Sequence, residues 1–239
     1  MDWRRLEAAR APAAPIALSE LRPSIRDFTH YLGAGRRGVA VVPLIMRRDP
    51  ASGVPTPIDD LAGFAAAADD TEIAALAVAT EPSVFAGTLD DLHVVAGAVG
   101  APVLRYDCVA DEQRLYESRF AGADAVLVPI AVASGGLPRL VGLARAIHMT
   151  VVAEVRDSAE CTVALAAGAP VIAVPFAAAT LATQIPRRVP VLAGDGVTSP
   201  ADLTRLRGVV DAVLVGRAIF AADDPLASLA RFAAAAAEL

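Results

Sequence analysis

The chain has 239 residues, a formal net charge of −6, and hydrophobic residues that make up 55% of the total but include few aromatics. This length suits a single domain, and an aliphatic composition favours a parallel sheet covered by helices. The arginines are scattered along the chain, which argues against a nucleic-acid-binding face. Neither a membrane-length apolar run nor a secretory leader pattern occurs, so we expect a cytoplasmic protein without a membrane or nucleic-acid partner.

The basic residues limit the chemistry. All 21 residues counted as Lys or Arg are arginine, because the sequence contains no lysine. Schiff-base catalysis needs a neutral lysine or, rarely, a neutral N-terminal amine, whereas arginine stays protonated. Lysine-based Schiff-base chemistry is therefore excluded. The two cysteines, Cys108 and Cys161, are far apart and lack neighbouring metal-ligand residues, so we expect no disulfide, no metal and no cofactor.

From residue 38 onward, short aliphatic runs alternate with longer segments of helical period. Eight strands are predicted, at Val39–Ile45, Ile73–Thr80, Val103–Tyr106, Ala125–Val128, Val151–Glu154, Val171–Val174, Val191–Ala193 and Ala212–Val215. Helices are predicted between them, for example over Asp111–Phe120 and Leu137–Ile147. Eight alternating strand and helix units are the pattern of a (β/α)8 barrel, the TIM-barrel class of α/β fold.

The region before the first strand does not follow this alternation. Residues Ala17–Leu32 are predicted as an extra helix that covers the floor of the barrel. We therefore predict one domain over residues 1–239, with an N-terminal helical extension at 1–37 and the barrel at 38–239.

Several segments at the predicted strands resemble one known family. They are Ala79–Thr88, Pro102–Val109, Gly122–Leu127, Val152–Val155, Gly194–Val197 and Leu214–Ala218. In order and spacing they are similar to the indole-3-glycerol-phosphate synthase family, over nearly the whole chain. The resemblance implies a barrel with an N-terminal extension and a ring-closing, decarboxylating lyase as the parent activity.

The chain departs from that family at most of its catalytic positions. The strand-one glutamate and lysine, the strand-three lysine and the strand-seven Glu-Ser pair are replaced by Leu44, Met46, Tyr106 and Gly194-Asp195. The polar stretch after strand six becomes Val174–Ala178. Among the main catalytic side chains only Glu154 is matched, so we expect the parent reaction to be absent or negligible.

Three polar side chains at strand ends are candidate catalytic residues, namely Glu154, Tyr106 and Asp195. Apolar neighbours would raise the pKa of Glu154 and suit it to proton transfer. The alternative is an inherited carboxylate paired with Arg105 or Arg156. Tyr106 is equally compatible with core packing, and the Asp195 segment with an ordinary tight turn.

Candidate binding residues lie at the same strand ends. Arg47 and Arg48 are the strongest anion-binding candidates, with solvated surface charge as the alternative. Gly196, Gly216 and Arg217 follow strands seven and eight, where such barrels bind phosphate through backbone amides; structural turns are the alternative. Further substrate-binding candidates are Glu81, Phe85, Arg105 and Asp107, the last of which could instead cap the helix near Asp111.

Two functions remain open from the sequence. The first is a repurposed lyase, cyclase or isomerase that acts on a small anionic aromatic or carbonyl substrate through carboxylate and tyrosine chemistry. The second is a catalytically inactive barrel that binds a ligand or a partner protein, and a homo-oligomer is open in either case. A genuine indole-3-glycerol-phosphate synthase ranks last, because Met46 and Tyr106 cannot supply the charge stabilisation of two lysines.

Overall fold

Eight parallel strands pair in chain order, and the first also pairs with the last, so the sheet closes into a barrel. The computed structural model describes residues 1–13, 15–33, 38–71, 73–133 and 135–239. The strands are β1 (Ala40–Ile45), β2 (Leu76–Ala79), β3 (Val103–Tyr106), β4 (Ala125–Pro129), β5 (Thr150–Glu154), β6 (Val171–Val174), β7 (Val191–Ala193) and β8 (Ala212–Val215). The predicted (β/α)8 barrel is confirmed, and each of the eight strands overlaps its predicted segment, although β2 is shorter than the predicted Ile73–Thr80.

Helices surround this barrel. They are α1 (Trp3–Ala8), α2 (Phe28–Leu32), α3 (Leu61–Asp69), α4 (Pro82–Phe85), α5 (Leu89–Ala98), α6 (Glu112–Phe120), α7 (Ile130–Ala133), α8 (Leu137–Ala146), α9 (Ser158–Ala166), α10 (Leu203–Leu206), α11 (Arg217–Phe220) and α12 (Pro225–Ala237). Short 3-10 segments occur at Leu18–Glu20, Phe176–Gln184 and Pro200–Asp202. Within the described residues, no helix has both the length and the apolar character needed to cross a bilayer.

Both faces of the strands are covered, which explains why they are short aliphatic runs without polar alternation. Every residue of β2, β4, β6, β7 and β8 is buried. Several helices begin at a side-chain cap; at α6 the Asp111 carboxylate accepts a hydrogen bond from the Arg114 amide at 2.9 Å. Asp111 therefore takes the capping role that was considered for Asp107.

The N-terminal extension differs from the continuous helix predicted at Ala17–Leu32. Only Leu18–Glu20 and α2 are helical, because Pro23 lacks a backbone N–H and disfavours helical geometry in the residue before it. Ser24 and Arg26 instead reach Asp124, just before β4, at 2.6 and 2.7 Å. This part of the extension covers the barrel floor, as expected. The predicted boundary after residue 37 adjoins residues 34–37, which lie outside the described residues.

The first helix of the extension lies at the opposite end of the barrel, which the sequence did not predict. Trp3 of α1 donates a hydrogen bond to Glu154, at the carboxyl end of β5. Arg10, just after α1, pairs with Asp107 after β3 and donates to the Cys108 carbonyl at 3.0 Å. The extension therefore contacts both ends of the barrel.

We predict that Asp124→Ala strongly destabilises the protein. The Asp124 carboxylate is 1% exposed, accepts hydrogen bonds from Ser24 and the Val103 amide, and pairs with Arg26 and Arg119. Removing it leaves buried donors and charges without a partner, which costs about 3–5 kcal/mol of unfolding free energy.

Urea unfolding followed by circular dichroism measures this loss. The matched control is Asp223→Ala, an exposed aspartate, which should change the unfolding free energy by less than about 0.5 kcal/mol. Equal stabilities of the two variants would show that the floor contacts contribute little.

Candidate active site

The three candidate catalytic side chains lie at one rim of the barrel. Tyr106 ends β3, Glu154 ends β5 and Asp195 follows β7. In a closed parallel sheet all carboxyl ends share one rim. Burial raises the pKa of Tyr106 above its usual value, and the negative charges of Glu154 and Asp195 raise it further. The Tyr106 hydroxyl therefore keeps its proton and acts as a hydrogen-bond donor.

The hydrogen-bond partner of Glu154 is an indole. Its Oε2 atom accepts a hydrogen bond from the Trp3 indole Nε1 at 2.5 Å. Burial raises the pKa of the Glu154 carboxyl, while the Trp3 hydrogen bond and the N-terminal ammonium oppose that shift. A carboxyl in this setting holds its proton to higher pH than an exposed glutamate does.

The ion pairs considered for Glu154 do not form. Arg105 pairs with Asp107 and with Glu117, each at 2.9 Å. Arg156 pairs with Glu160 of α9 at 3.3 Å. Both arginines that could have neutralised Glu154 thus have other carboxylate partners.

Trp3 covers the rim and is the functional candidate that sequence reasoning missed. It is the single tryptophan of the chain and is 1% exposed. Its ring meets the Tyr106 ring edge-on at 6.0 Å, and Phe85 contacts Tyr106 in the same way at 5.8 Å. Its rarity was the only sequence signal, because nothing local indicates that α1 folds back over the barrel. The candidate Phe85 therefore belongs to the aromatic cluster at the rim.

Arg47 and Arg48 are hydrogen-bonded to other parts of the protein. Arg47 contacts Asp91 of α5 at 2.6 and 3.0 Å and the Ile58 carbonyl at 3.1 Å. Arg48 donates to the carbonyls of Ser83 and Val84, in α4, at 2.5 and 3.2 Å. Anion binding by these two arginines stays a prediction, and it would require them to exchange these partners.

Arg105 and Asp107 connect β3 to α6 and to the N-terminal extension. Arg105 lies on β3 next to Tyr106 but bonds to Glu117 of α6, on the opposite face of the strand. Burial alone would raise the pKa of Asp107, but the guanidinium groups of Arg105 and Arg10 outweigh it, and the pKa is lowered. These contacts show Arg105 and Asp107 linking α6 and the extension to β3.

Glu81 has a capping role. Its carboxylate accepts hydrogen bonds from the Val84 amide at 2.7 Å and from the Ser83 hydroxyl at 2.9 Å, at the start of α4. The contact holds α4 at the rim, where its residue Phe85 meets Tyr106. Substrate binding by Glu81 stays a prediction.

The predicted anion-binding amides carry an internal carboxylate. Asp195 accepts hydrogen bonds from the amides of Gly216 and Arg217, at the start of α11, at 3.0 and 3.3 Å. Burial raises the pKa of Asp195, while these two hydrogen bonds oppose the shift. The Arg217 side chain extends to Asp49, with its Nε 3.4 Å from the carboxylate.

The two glycines of this region are required by close packing. A Cβ atom on Gly216 would lie 2.5 Å from the Met46 Cε, and one on Gly196 would lie 2.6 Å from the Phe176 side chain. Met46 is 1% exposed. Met46 and Phe176 thus pack closely against these two glycines with apolar atoms.

We predict that Glu154→Gln stabilises the protein relative to wild type as pH rises. Because folding raises the Glu154 pKa, ionisation of this group opposes the folded state. The contribution of the neutral Glu154 carboxyl to the free energy of unfolding is fully present below the unfolded-state pKa of about 4.3, and it is lost as pH rises through the folded-state pKa. Glutamine does not ionise, so the variant does not lose stability in this way.

Thermal unfolding between acidic and mildly alkaline pH checks the difference between the two proteins. Glu238→Gln, at an exposed glutamate near the C-terminus, serves as the control and should follow wild type throughout. A Glu154→Gln difference that does not change with pH would mean that Glu154 titrates like an exposed carboxyl.

Comparison with known proteins agrees with this fold. The sequence family described as Indole-3-glycerol phosphate synthase matches residues 4–232. Among solved structures, the alpha subunit of tryptophan synthase from Legionella pneumophila superposes with a TM-score of 0.67 at 14% identity, covering 90% of this chain and 100% of its own. At that identity the likeness concerns the fold alone.

Curated relatives give the closer relationship. An indole-3-glycerol phosphate synthase from Kineococcus radiotolerans is 36% identical, over 99% of this chain and 88% of its own length. One from Parafrankia sp. is 38% identical over 85% and 80%, and one from Mycobacterium leprae 34% over 93% and 82%. The chain belongs to the indole-3-glycerol phosphate synthase family.

Proposed function

We propose that this family member is a repurposed lyase-, cyclase- or isomerase-type enzyme that performs acid–base chemistry on a small anionic aromatic or carbonyl substrate, with Glu154 as the proton-transfer group. The family itself is one of lyase-type enzymes, which supports an enzymatic role at the coarse level. The altered chemistry is our inference from the residues at the rim.

The observation that carries the proposal is the environment of Glu154. Its carboxyl lies at the end of a barrel strand and is hydrogen-bonded to the Trp3 indole, while Arg105 and Arg156 pair elsewhere. Buried charged groups are normally paired with an opposite charge or with a metal. A carboxyl with a raised pKa at the catalytic rim holds its proton more tightly than an exposed glutamate does, which suits it to proton transfer.

Tyr106 supplies the second group. In the proposed reaction Glu154 takes a proton from the carbon next to the substrate carbonyl and later returns it. The Tyr106 hydroxyl donates a hydrogen bond to the enolate oxygen that forms between these steps. Asp195 is a weaker candidate for this role, because both of its oxygens already accept backbone hydrogen bonds.

The parent reaction is not expected from this rim. The family's strand-one and strand-three lysines are replaced by Met46 and Tyr106, and the sequence holds no other lysine. Met46 is buried against Gly216, so its position provides apolar contact and no charge. We therefore expect incubation with the family's own substrate to release no carbon dioxide above background.

A hydrogen-exchange assay tests the proposal whatever the final product is, because it detects the proton-transfer step itself. Small aromatic ketones and 2-keto acids that change the Trp3 fluorescence are incubated with the protein in D2O, and proton NMR follows exchange next to the carbonyl. We expect exchange with wild type, and a rate reduced by about 10²–10⁴-fold in Glu154→Gln. Tyr106→Phe should lose about 10²–10³-fold.

Glu238→Gln provides the control, since Glu238 is an exposed glutamate near the C-terminus. It should exchange at the wild-type rate. Undiminished exchange in Glu154→Gln would contradict the assigned role.

The second candidate, a non-catalytic ligand-binding barrel, is favoured by the aromatic cover. Trp3 lies buried across Glu154 and Tyr106, so a ligand must compete with an internal indole. Ligands that change the fluorescence of Trp3 without any hydrogen exchange in wild type would support this candidate over the enzyme.

A further inference from the structure

The amides at the start of α11 already hold an anion that belongs to the chain. The two carboxylate oxygens of Asp195 accept hydrogen bonds from the Gly216 and Arg217 amides at 3.0 and 3.3 Å. A bidentate carboxylate on two adjacent amides uses the donors through which such a loop would bind a phosphate. A second anion would find both amides already donating to Asp195, and the Asp195 carboxylate would repel it.

Apolar side chains pack closely against the two glycines of this rim. A Cβ atom on Gly216 would lie 2.5 Å from the Met46 Cε, and one on Gly196 would lie 2.6 Å from Phe176. These are apolar contacts contributed by β1 and by the segment after β6. They are separate from the Asp195 hydrogen bonds, and their apolar atoms offer no hydrogen bond to a phosphate oxygen.

Three arginines near this rim pair with other carboxylates or donate hydrogen bonds to carbonyls. Arg217 faces Asp49 at 3.4 Å, Arg47 pairs with Asp91 at 2.6 Å, and Arg48 donates to carbonyls of α4. A phosphate at the amides would thus gain no guanidinium unless one of these pairs were broken. Asp195 and Asp49 against Arg217 leave one excess formal negative charge at this position.

We propose that Asp195 is a specificity-determining residue that excludes phosphate from the rim after β7 and β8. The inference deepens the proposed function, on which it rests for the existence of a substrate: that substrate carries no phosphate at this position. The names of the curated relatives include a glycerol phosphate. The proposed substrate of this chain would lack that phosphate. A neutral or basic group on the substrate fits the Asp195 carboxylate.

The test is a gain of phosphate binding when the carboxylate is removed. Full-length wild type and Asp195→Ser are titrated with inorganic phosphate at mildly alkaline pH, and the amide NMR signals of Gly216 and Arg217 are followed. We expect Asp195→Ser to bind phosphate at these amides at least about tenfold more tightly than wild type.

Asp224→Ser is the matched control. Asp224 also accepts a hydrogen bond from a helix-start amide, that of Ala227 at 3.0 Å, and serine caps a helix equally well. The control therefore makes the same charge change at the start of α12 and should bind phosphate like wild type. Asp195→Asn keeps the side-chain shape without the charge and serves if Asp195→Ser does not fold; it should also bind phosphate more tightly than wild type.

Saturable phosphate binding to these amides in wild type, with the affinity of the Asp195 variants, would overturn the proposal. So would folded Asp195 variants that bind no better than wild type. Because phosphate binding needs no proton transfer by Glu154, these outcomes are separate from the exchange assay. A failure of Glu154→Gln to lose exchange would leave the phosphate result unchanged.

Discussion

Hydrogen bonding between β1 and β8, in register from Ala40 opposite Ala212 to Pro43 opposite Val215, leaves the sheet without an edge. Closure satisfies the backbone groups that an open parallel sheet would expose at its two outer strands. It also gathers eight carboxyl ends into one rim, so residues far apart in sequence become neighbours. The contacts among Trp3, Tyr106 and Glu154 depend on that geometry.

The N-terminal extension adds a second constraint, because it binds the barrel at both ends. At the floor, Ser24 and Arg26 satisfy the buried carboxylate of Asp124. At the rim, Arg10 pairs with Asp107, and Trp3 reaches Glu154. The extension therefore serves stability at one end and shapes the candidate active site at the other.

The absence of lysine limits the chemistry of the rim without disturbing the fold. At the positions where the resemblance to the family places lysines, Met46 is a buried thioether and Tyr106 a protonated phenol, and the Asp195 carboxylate covers the amides after β8. Each replacement removes positive charge or anion affinity while keeping the packing. Both proposals rest on this rim, namely proton transfer by Glu154 and the exclusion of a phosphorylated substrate by Asp195.

The sequence by itself determined the strands, their order and the rim to which Glu154, Tyr106 and Asp195 belong, because these follow from local periodicity and from the rule that parallel strands share one end. It left open the partners of those side chains. Only the tertiary structure decided that Arg105 pairs with Asp107, and that Asp195 turns to the amides of α11.

The Trp3–Glu154 contact spans 151 residues of chain, and no local pattern encodes a contact at that separation. Pro23 breaks the helix that the local pattern predicts over Ala17–Leu32. Backbone periodicity is a local property, whereas hydrogen-bond partners are chosen among all groups that the closed barrel brings together.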